Sequence, residues 1–122
     1  MVLLLVLIEY TVLGGLVGYA RGKYGVKAPA TTGNPEFERT YRAHQNTLES
    51  LIVFVPAICI FGLYVSANWG AGLGLVFLIG RALYARGYIA NAEKRGTGAI
   101  ICFLVNGVLV IGALIGLVMS VL

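Results

Sequence analysis

Hydrophobic residues run along this chain in four long, nearly uninterrupted stretches, at about 2 to 20, 47 to 67, 70 to 90 and 98 to 121, with little chain between them. Each is long enough to cross a bilayer as an α-helix, since roughly 20 residues at about 1.5 Å apiece span the roughly 30 Å of hydrocarbon. The runs are continuously apolar, where a transmembrane β-barrel would alternate apolar and polar positions over segments of about ten residues. The pattern predicts an all-α integral membrane protein, one four-transmembrane-helix bundle over residues 1–122. The first stretch has no basic leading region and no A-x-A-like cleavage site, so it is expected to remain as a helix rather than leave as a signal peptide.

Polar positions sharpen this picture. The segment "NPEFERTYRAHQNTLES", residues 34–50, stands directly before the second apolar run and reads as its helical extension. Asn34 can cap the first turn, Pro35 suits the first helical position, and Glu36 and Glu38 lie where the helix dipole stabilises negative charge. The second helix is therefore expected to begin at about residue 35. Pro56 removes a backbone donor inside the span and predicts a kink near 52–56. Gly14, Gly18 and Gly22, and again Gly112 and Gly116, recur every four residues, a spacing that lets helices approach closely.

Composition agrees: 59% of the 122 residues are hydrophobic and only 11% charged. All nine Lys and Arg (Arg21, Lys23, Lys27, Arg39, Arg42, Arg81, Arg86, Lys94 and Arg95) lie in or nearest to the first and third connections, whereas the "SANWGAG" link carries no charge. The positive-inside rule then puts both basic loops in the cytoplasm and both termini outside. The net charge of +4 is thus a topology signal. No nucleic-acid-binding motif accompanies it, and no nucleic-acid partner is expected.

The polar residues of the second helix fall on one stripe. With Arg42 at zero and about 100° per residue, Asn46 lies at about +40°, Glu49 at about −20°, Arg39 at about +60° and Glu38 at about −40°. His44 and Gln45 lie off it, at about −160° and −60°. In the third span, counted from Arg81, Tyr84 lies at about −60°, Tyr88 at about −20° and Arg95 at about −40°, while Arg86 points away at about 140°. Ionisable groups within a span face the bundle interior, a cavity or a partner, so both stripes are expected to line a polar cleft. A structural network of ion pairs, with Arg42 bonded to Glu38 or Glu49, is the alternative. Guanidinium forks together with tyrosine hydroxyls suit a small, multiply charged anion.

Other polar positions have simpler readings. Glu9, near the middle of the first span, needs a partner, and Arg81 is the one expected. Asn106 reads as an interhelical hydrogen-bonding residue. Cys59 and Cys102 lie in apolar spans as small hydrophobes, and with one histidine they make no zinc site; no metal is expected. The chain has no aspartate, so there is no Ser-His-Asp arrangement. "GAGLG" at 70–74 follows no strand and is not a nucleotide loop.

"TTGNPEFERTYRAHQNTLES", followed after one span by "GRALYARGY" and then "KR", resembles the MAPEG family, membrane-associated proteins in eicosanoid and glutathione metabolism. The resemblance implies a homotrimer of four-helix subunits that bind glutathione, as co-substrate, in clefts between neighbours. By it, Arg42, Asn46, Glu49, Arg81, Tyr84 and Tyr88 match positions that bind the tripeptide, while Arg21, His44 and Arg95 match positions completing the site from the adjacent subunit. Arg95 resembles the arginine that stabilises the glutathione thiolate, with Tyr88 as a second catalytic candidate. The implied activity is conjugation of glutathione to lipophilic electrophiles, or reduction of lipid hydroperoxides. The alternative is a non-catalytic lipid- and glutathione-binding scaffold of the same family. Gly22 and Ser50 depart from the leukotriene-forming members, which carry arginine and tyrosine there. The expected setting is a bacterial inner membrane, with membrane lipid around the bundle and the site facing the cytoplasm.

Overall fold

The computed structural model describes residues 1–90 and 96–122. Four α-helices account for almost all of them: α1, Val2–Tyr24; α2, Pro35–Tyr64; α3, Ala67–Ala90; and α4, Gly96–Val121. All four are long and apolar enough to cross a membrane.

Local chemistry sets the ends. α1 outruns its apolar stretch to Tyr24 and stops at Gly25, which adopts the left-handed conformation (φ 69°, ψ 27°) that glycine takes without a Cβ clash. α2 starts as its sequence predicts: the Asn34 Oδ1 accepts from the backbone N–H of Glu36 (2.9 Å) and Phe37 (3.0 Å), and Pro35 opens the helix. The second stretch was expected to run to 67, yet α2 ends at Tyr64. Ser66 is the reason: its Oγ accepts from Trp69 N–H (3.2 Å) and its carbonyl from Gly70 N–H (3.0 Å), an N-cap that starts α3 at Ala67. The uncharged link read from sequence therefore belongs mostly to α3. Pro56 sits inside α2, so the Ile52 carbonyl has no helical donor.

α2 and α3 pack together at the centre, α1 lies against both on one side and α4 against both on the other. The main core joins Val6 of α1, Phe54 of α2, Phe77 of α3, and Cys102 and Leu109 of α4; Phe54 and Phe77 stack at 4.0 Å between ring centroids. Leu4, Ile8, Ile52, Phe103, Ile111 and Leu114 point outward, an apolar exterior suited to hydrocarbon rather than water. α4 meets α3 closely at one point: a Cβ on Gly98 would sit 2.6 Å from the Gly80 carbonyl oxygen and inside the backbone of Tyr84. That contact brings α4 onto the stretch of α3 that carries Arg81 and Tyr84.

Candidate functional site

Arg81 is the most buried charge among the described residues, only 4% exposed within α3. A buried guanidinium needs acceptors, and Thr47 of α2 supplies them: Arg81 Nε and Nη2 donate to Thr47 Oγ1 at 3.2 and 2.7 Å. Thr47 donates its own hydroxyl proton to the Ala43 carbonyl (2.8 Å), so its oxygen lone pairs are left to face the cation. The guanidinium also lies over the Tyr84 ring, 4.1 Å from the centroid, where the ring quadrupole attracts it. The hydroxyl of Tyr84 accepts from Asn46 Nδ2 at 2.5 Å. Asn46, Thr47, Arg81 and Tyr84 thus form one hydrogen-bonded and stacked unit across α2 and α3.

The unit opens on a groove of about 410 Å³, lined by Asn46, Glu49 and Ser50 of α2, Arg81 and Tyr84 of α3, and Cys102 and Asn106 of α4. Glu49 is exposed there and has no hydrogen bond or ion pair among the described residues. Asn106 fulfils its interhelical role, donating from Nδ2 to the Ser50 carbonyl (3.3 Å) and to Ser50 Oγ (3.1 Å). Its own Oδ1 is buried without a partner. The groove presents a guanidinium edge, a carboxylate and two hydroxyl-bearing side chains, the inventory that recognises a small zwitterionic molecule.

Four of the residues matched to tripeptide-binding positions therefore converge: Asn46, Glu49, Arg81 and Tyr84. Arg42 shares their stripe but is exposed, outside the groove lining, and without an intrachain partner among the described residues. It forms no ion pair with Glu38 or Glu49, so the structural-network alternative does not hold for this pair. Tyr88 is buried at 7% exposure, edge-on to Tyr84 (5.6 Å, 85°), in a cluster with Leu13 of α1 and Ala43 of α2. Arg95, the proposed thiolate arginine, lies outside the described residues.

The two remaining candidates lie on the α1 side of α2. His44 stacks on Tyr10 (4.3 Å, 15°), against Gly14, where a Cβ would stand 3.3 Å from Nε2. Arg21 donates from Nη1 to the Ala30 carbonyl (2.6 Å) and lies 4.9 Å from the centroid of the Phe37 ring. Asn46, Glu49, Arg81 and Tyr84 thus line the groove between α2, α3 and α4, whereas Arg21 and His44 lie on the α1 side of α2.

The expected Glu9–Arg81 pair is corrected. Arg81 is spent on Thr47 and Tyr84, and Glu9 keeps a buried Oε1 with no hydrogen-bond partner, although the two charges remain within each other's field. A hydroxyl on the facing helix lies closer to the guanidinium than the carboxylate does. Thr47 escaped the sequence reading because, at about 140° from Arg42, it falls off the charged stripe. Ser50 and Cys102 were likewise read as a departure and a small hydrophobe, not as groove lining. The signal that marks Thr47 is a small hydroxyl at a core-facing position opposite a buried arginine. Among the described residues, no three His, Cys or acidic side chains gather to hold a metal ion.

Comparison with known proteins bears on this geometry. The MAPEG family model matches residues 1–115. An uncharacterised protein of the cyanobacterium Synechocystis is 49% identical over 108 residues, covering 88% of this chain and 79% of its own length. Human microsomal glutathione S-transferase 2 is 48% identical over 82 residues, 67% of this chain and 56% of that protein. Bovine leukotriene C4 synthase is 40% identical over 76 residues, 62% of this chain and 51% of that protein. The chain thus spans little more than half the length of these two animal relatives. The family match extends over nearly the whole chain and all four helices, and this multi-pass membrane protein belongs to the MAPEG family.

Proposed function

We propose that the chain is a membrane-bound glutathione transferase that conjugates glutathione to lipophilic electrophiles and reduces lipid hydroperoxides. The observation that carries this reading is the Asn46–Thr47–Arg81–Tyr84 unit opening beside Glu49 on a groove at the bundle surface. Relatives named as glutathione transferases add to it. Glutathione has two carboxylates for arginines, an ammonium for Glu49, and amide and carbonyl groups for Asn46 and the tyrosines.

The chain acts as a homotrimer in which Arg42, Asn46, Glu49, Arg81, Tyr84 and Tyr88 of one subunit bind the tripeptide, and Arg21, His44 and Arg95 of its neighbour complete the site. The thiol must lose its proton before it attacks, and a guanidinium beside it favours the anion. Arg95 has that role, with Tyr88 as an auxiliary donor. In conjugation the thiolate sulfur forms a bond to the electrophilic carbon and the leaving group departs with its electron pair. In peroxide reduction the sulfur takes the terminal oxygen, and a second glutathione returns a disulfide, an alcohol and water. A site at the membrane surface lets a water-soluble thiol meet a lipid-soluble partner. The basic loops face the cytoplasm of a bacterial cell, with both termini on the other side of its inner membrane.

The test is ultraviolet difference spectroscopy of the purified protein with glutathione at the thiolate band, together with conjugation of a chlorinated nitrobenzene. Arg95→Ala is expected to abolish the thiolate signal while glutathione still binds, and Arg42→Ala to weaken binding. Full activity in Arg42→Ala would remove it as the tripeptide anchor.

A further inference from the structure

The proposed chemistry leaves Glu9 of α1 unused, although its Oε1 is buried without a hydrogen-bond partner. Its place in the bundle follows from its neighbours. Val6, three residues earlier, packs with Phe77 and Cys102 in the main core, and Leu13, four residues later, packs with Tyr84 and Ala85. Residues at those spacings share one helical face, so Glu9 is turned toward the stretch of α3 that carries Arg81. The Arg81 guanidinium lies within the field of its carboxylate.

Arg81 is therefore approached from two sides. α4 packs on the α2–α3 pair from the side of the groove, and α1, with Glu9, packs on it from the other. The hydrogen-bond and ring partners of Arg81 are neutral groups, Thr47 and Tyr84. Within a span, where little water screens it, the guanidinium charge is balanced through space by Glu9. Glutathione brings two carboxylates and one ammonium. With the ammonium against Glu49, a ligand carboxylate that reaches Arg81 meets a cation already facing Glu9. Two carboxylates on one poorly screened cation repel, and a proton on one of them relieves the repulsion. The ligand carboxylate accepts hydrogen bonds from the guanidinium, which hold it ionised, whereas Glu9 Oε1 has no donor to do the same. Glu9 is the group that takes the proton.

We propose that Glu9 is the charge-compensating group of the groove: it takes up a proton from the surrounding water when an anionic ligand settles against Arg81, and releases it when the groove empties. The proposal rests on the reading of the groove as the tripeptide site. The other titratable groups around this part of the span are His44 of α2, stacked on Tyr10, Tyr84 and Tyr88 of α3, and Cys102 of α4, whose thiol donates to the Phe77 carbonyl at 3.7 Å.

The experiment measures binding of S-methylglutathione, which has no thiol proton to release, to the full-length protein in detergent. Titration calorimetry in two buffers of different ionisation enthalpy, at a series of pH values around neutrality, gives the protons exchanged per ligand bound. Wild type is expected to take up a proton on binding, so its association constant should fall as pH rises, by up to about tenfold per pH unit. Glu9→Gln, which keeps the side chain's shape, should show no uptake and a flat pH profile. It should match wild type at low pH and bind about tenfold more tightly at high pH, where the wild-type carboxylate competes for Arg81. Glu9→Ala, run alongside, should behave as Glu9→Gln does. Binding to wild type without proton uptake, or the same uptake in both Glu9 variants, overturns the proposal and leaves the reading of the groove standing. Uptake should survive in His44→Phe; its loss there would assign the proton to the imidazole and overturn the proposal as well. If wild type does not bind S-methylglutathione at all, the reading of the groove falls and this inference with it.

Discussion

The two faces of α2 carry polar residues of similar kinds and use them differently. Toward α3 and α4, Asn46 and Thr47 are committed to Tyr84 and Arg81 within the same chain, with donors and acceptors matched in direction. Toward α1, His44 makes only a stacking contact with Tyr10 and no hydrogen bond among the described residues. On the first face Asn46 and Thr47 are held by hydrogen bonds within the chain, while Glu49 beside them has none among the described residues. The second has polar capacity left over, which something outside the chain can use. The proposed shared site would draw on both sides of α2: an ordered groove lining on one and an uncommitted imidazole on the other.

The comparison can be broken most forcefully at Gly98. Gly98→Val would drive side-chain atoms into the α3 backbone and is expected to cost about 3 kcal/mol or more, read as a large fall in the thermal midpoint in detergent with loss of the groove. Gly18→Ala, where nothing lies within 4 Å of an added Cβ, should leave the midpoint unchanged. Next comes Thr47→Val, which keeps the shape but leaves two buried Arg81 donors facing a methyl group. About 2–3 kcal/mol of stability should be lost, whereas Thr47→Ser should retain most of it. A neutral Thr47→Val would show that the Thr47–Arg81 hydrogen bonds do not hold the groove face together.

A smaller effect is expected at the outer bond of the network. Tyr84→Phe and Asn46→Leu should each weaken glutathione binding about fivefold, close to 1 kcal/mol. The double variant should be less than additive, because both changes delete one shared hydrogen bond. The finest test addresses the α1 side. His44→Phe preserves an aromatic stack on Tyr10 and should shift stability by less than about 0.5 kcal/mol. If His44 serves a neighbouring subunit, glutathione affinity should nevertheless fall severalfold; unchanged affinity would make His44 a packing residue and the two faces equivalent in function.

Much of the fold is legible in the chain itself. Asn34, Pro35 and Glu36 announce the start of α2 because capping is a local event, satisfied within three residues. Asn46 and Glu49 on one helix, and Arg81 and Tyr84 on another, were found as stripes because angular position along a helix follows from spacing alone. Thr47 was not, and the Glu9–Arg81 pairing was wrongly expected. Both depend on how far each helix is rotated about its own axis relative to the next, which helical periodicity does not encode. The end of α2 was misread for a different reason: the residues after Tyr64 are apolar enough to continue a span, and a single serine hydroxyl capping α3 outweighed hydropathy there.

By itself the sequence determined four membrane-crossing helices, the extension of α2 beyond its apolar run, and the sets of polar residues that share a helical face. Bilayer thickness and the helical repeat are one-dimensional constraints, and a linear chain can carry them in full. Tertiary structure alone decided which faces meet. Arg81 is satisfied by Thr47 rather than Glu9, Arg39 donates to the Ile89 carbonyl of α3 instead of joining the groove, and His44 stacks on Tyr10 of α1. These outcomes turn on separations of a few ångströms between helices, set where Gly98 lets α4 rest on the α3 backbone and where the cores of α2 and α3 interlock around Phe54 and Phe77.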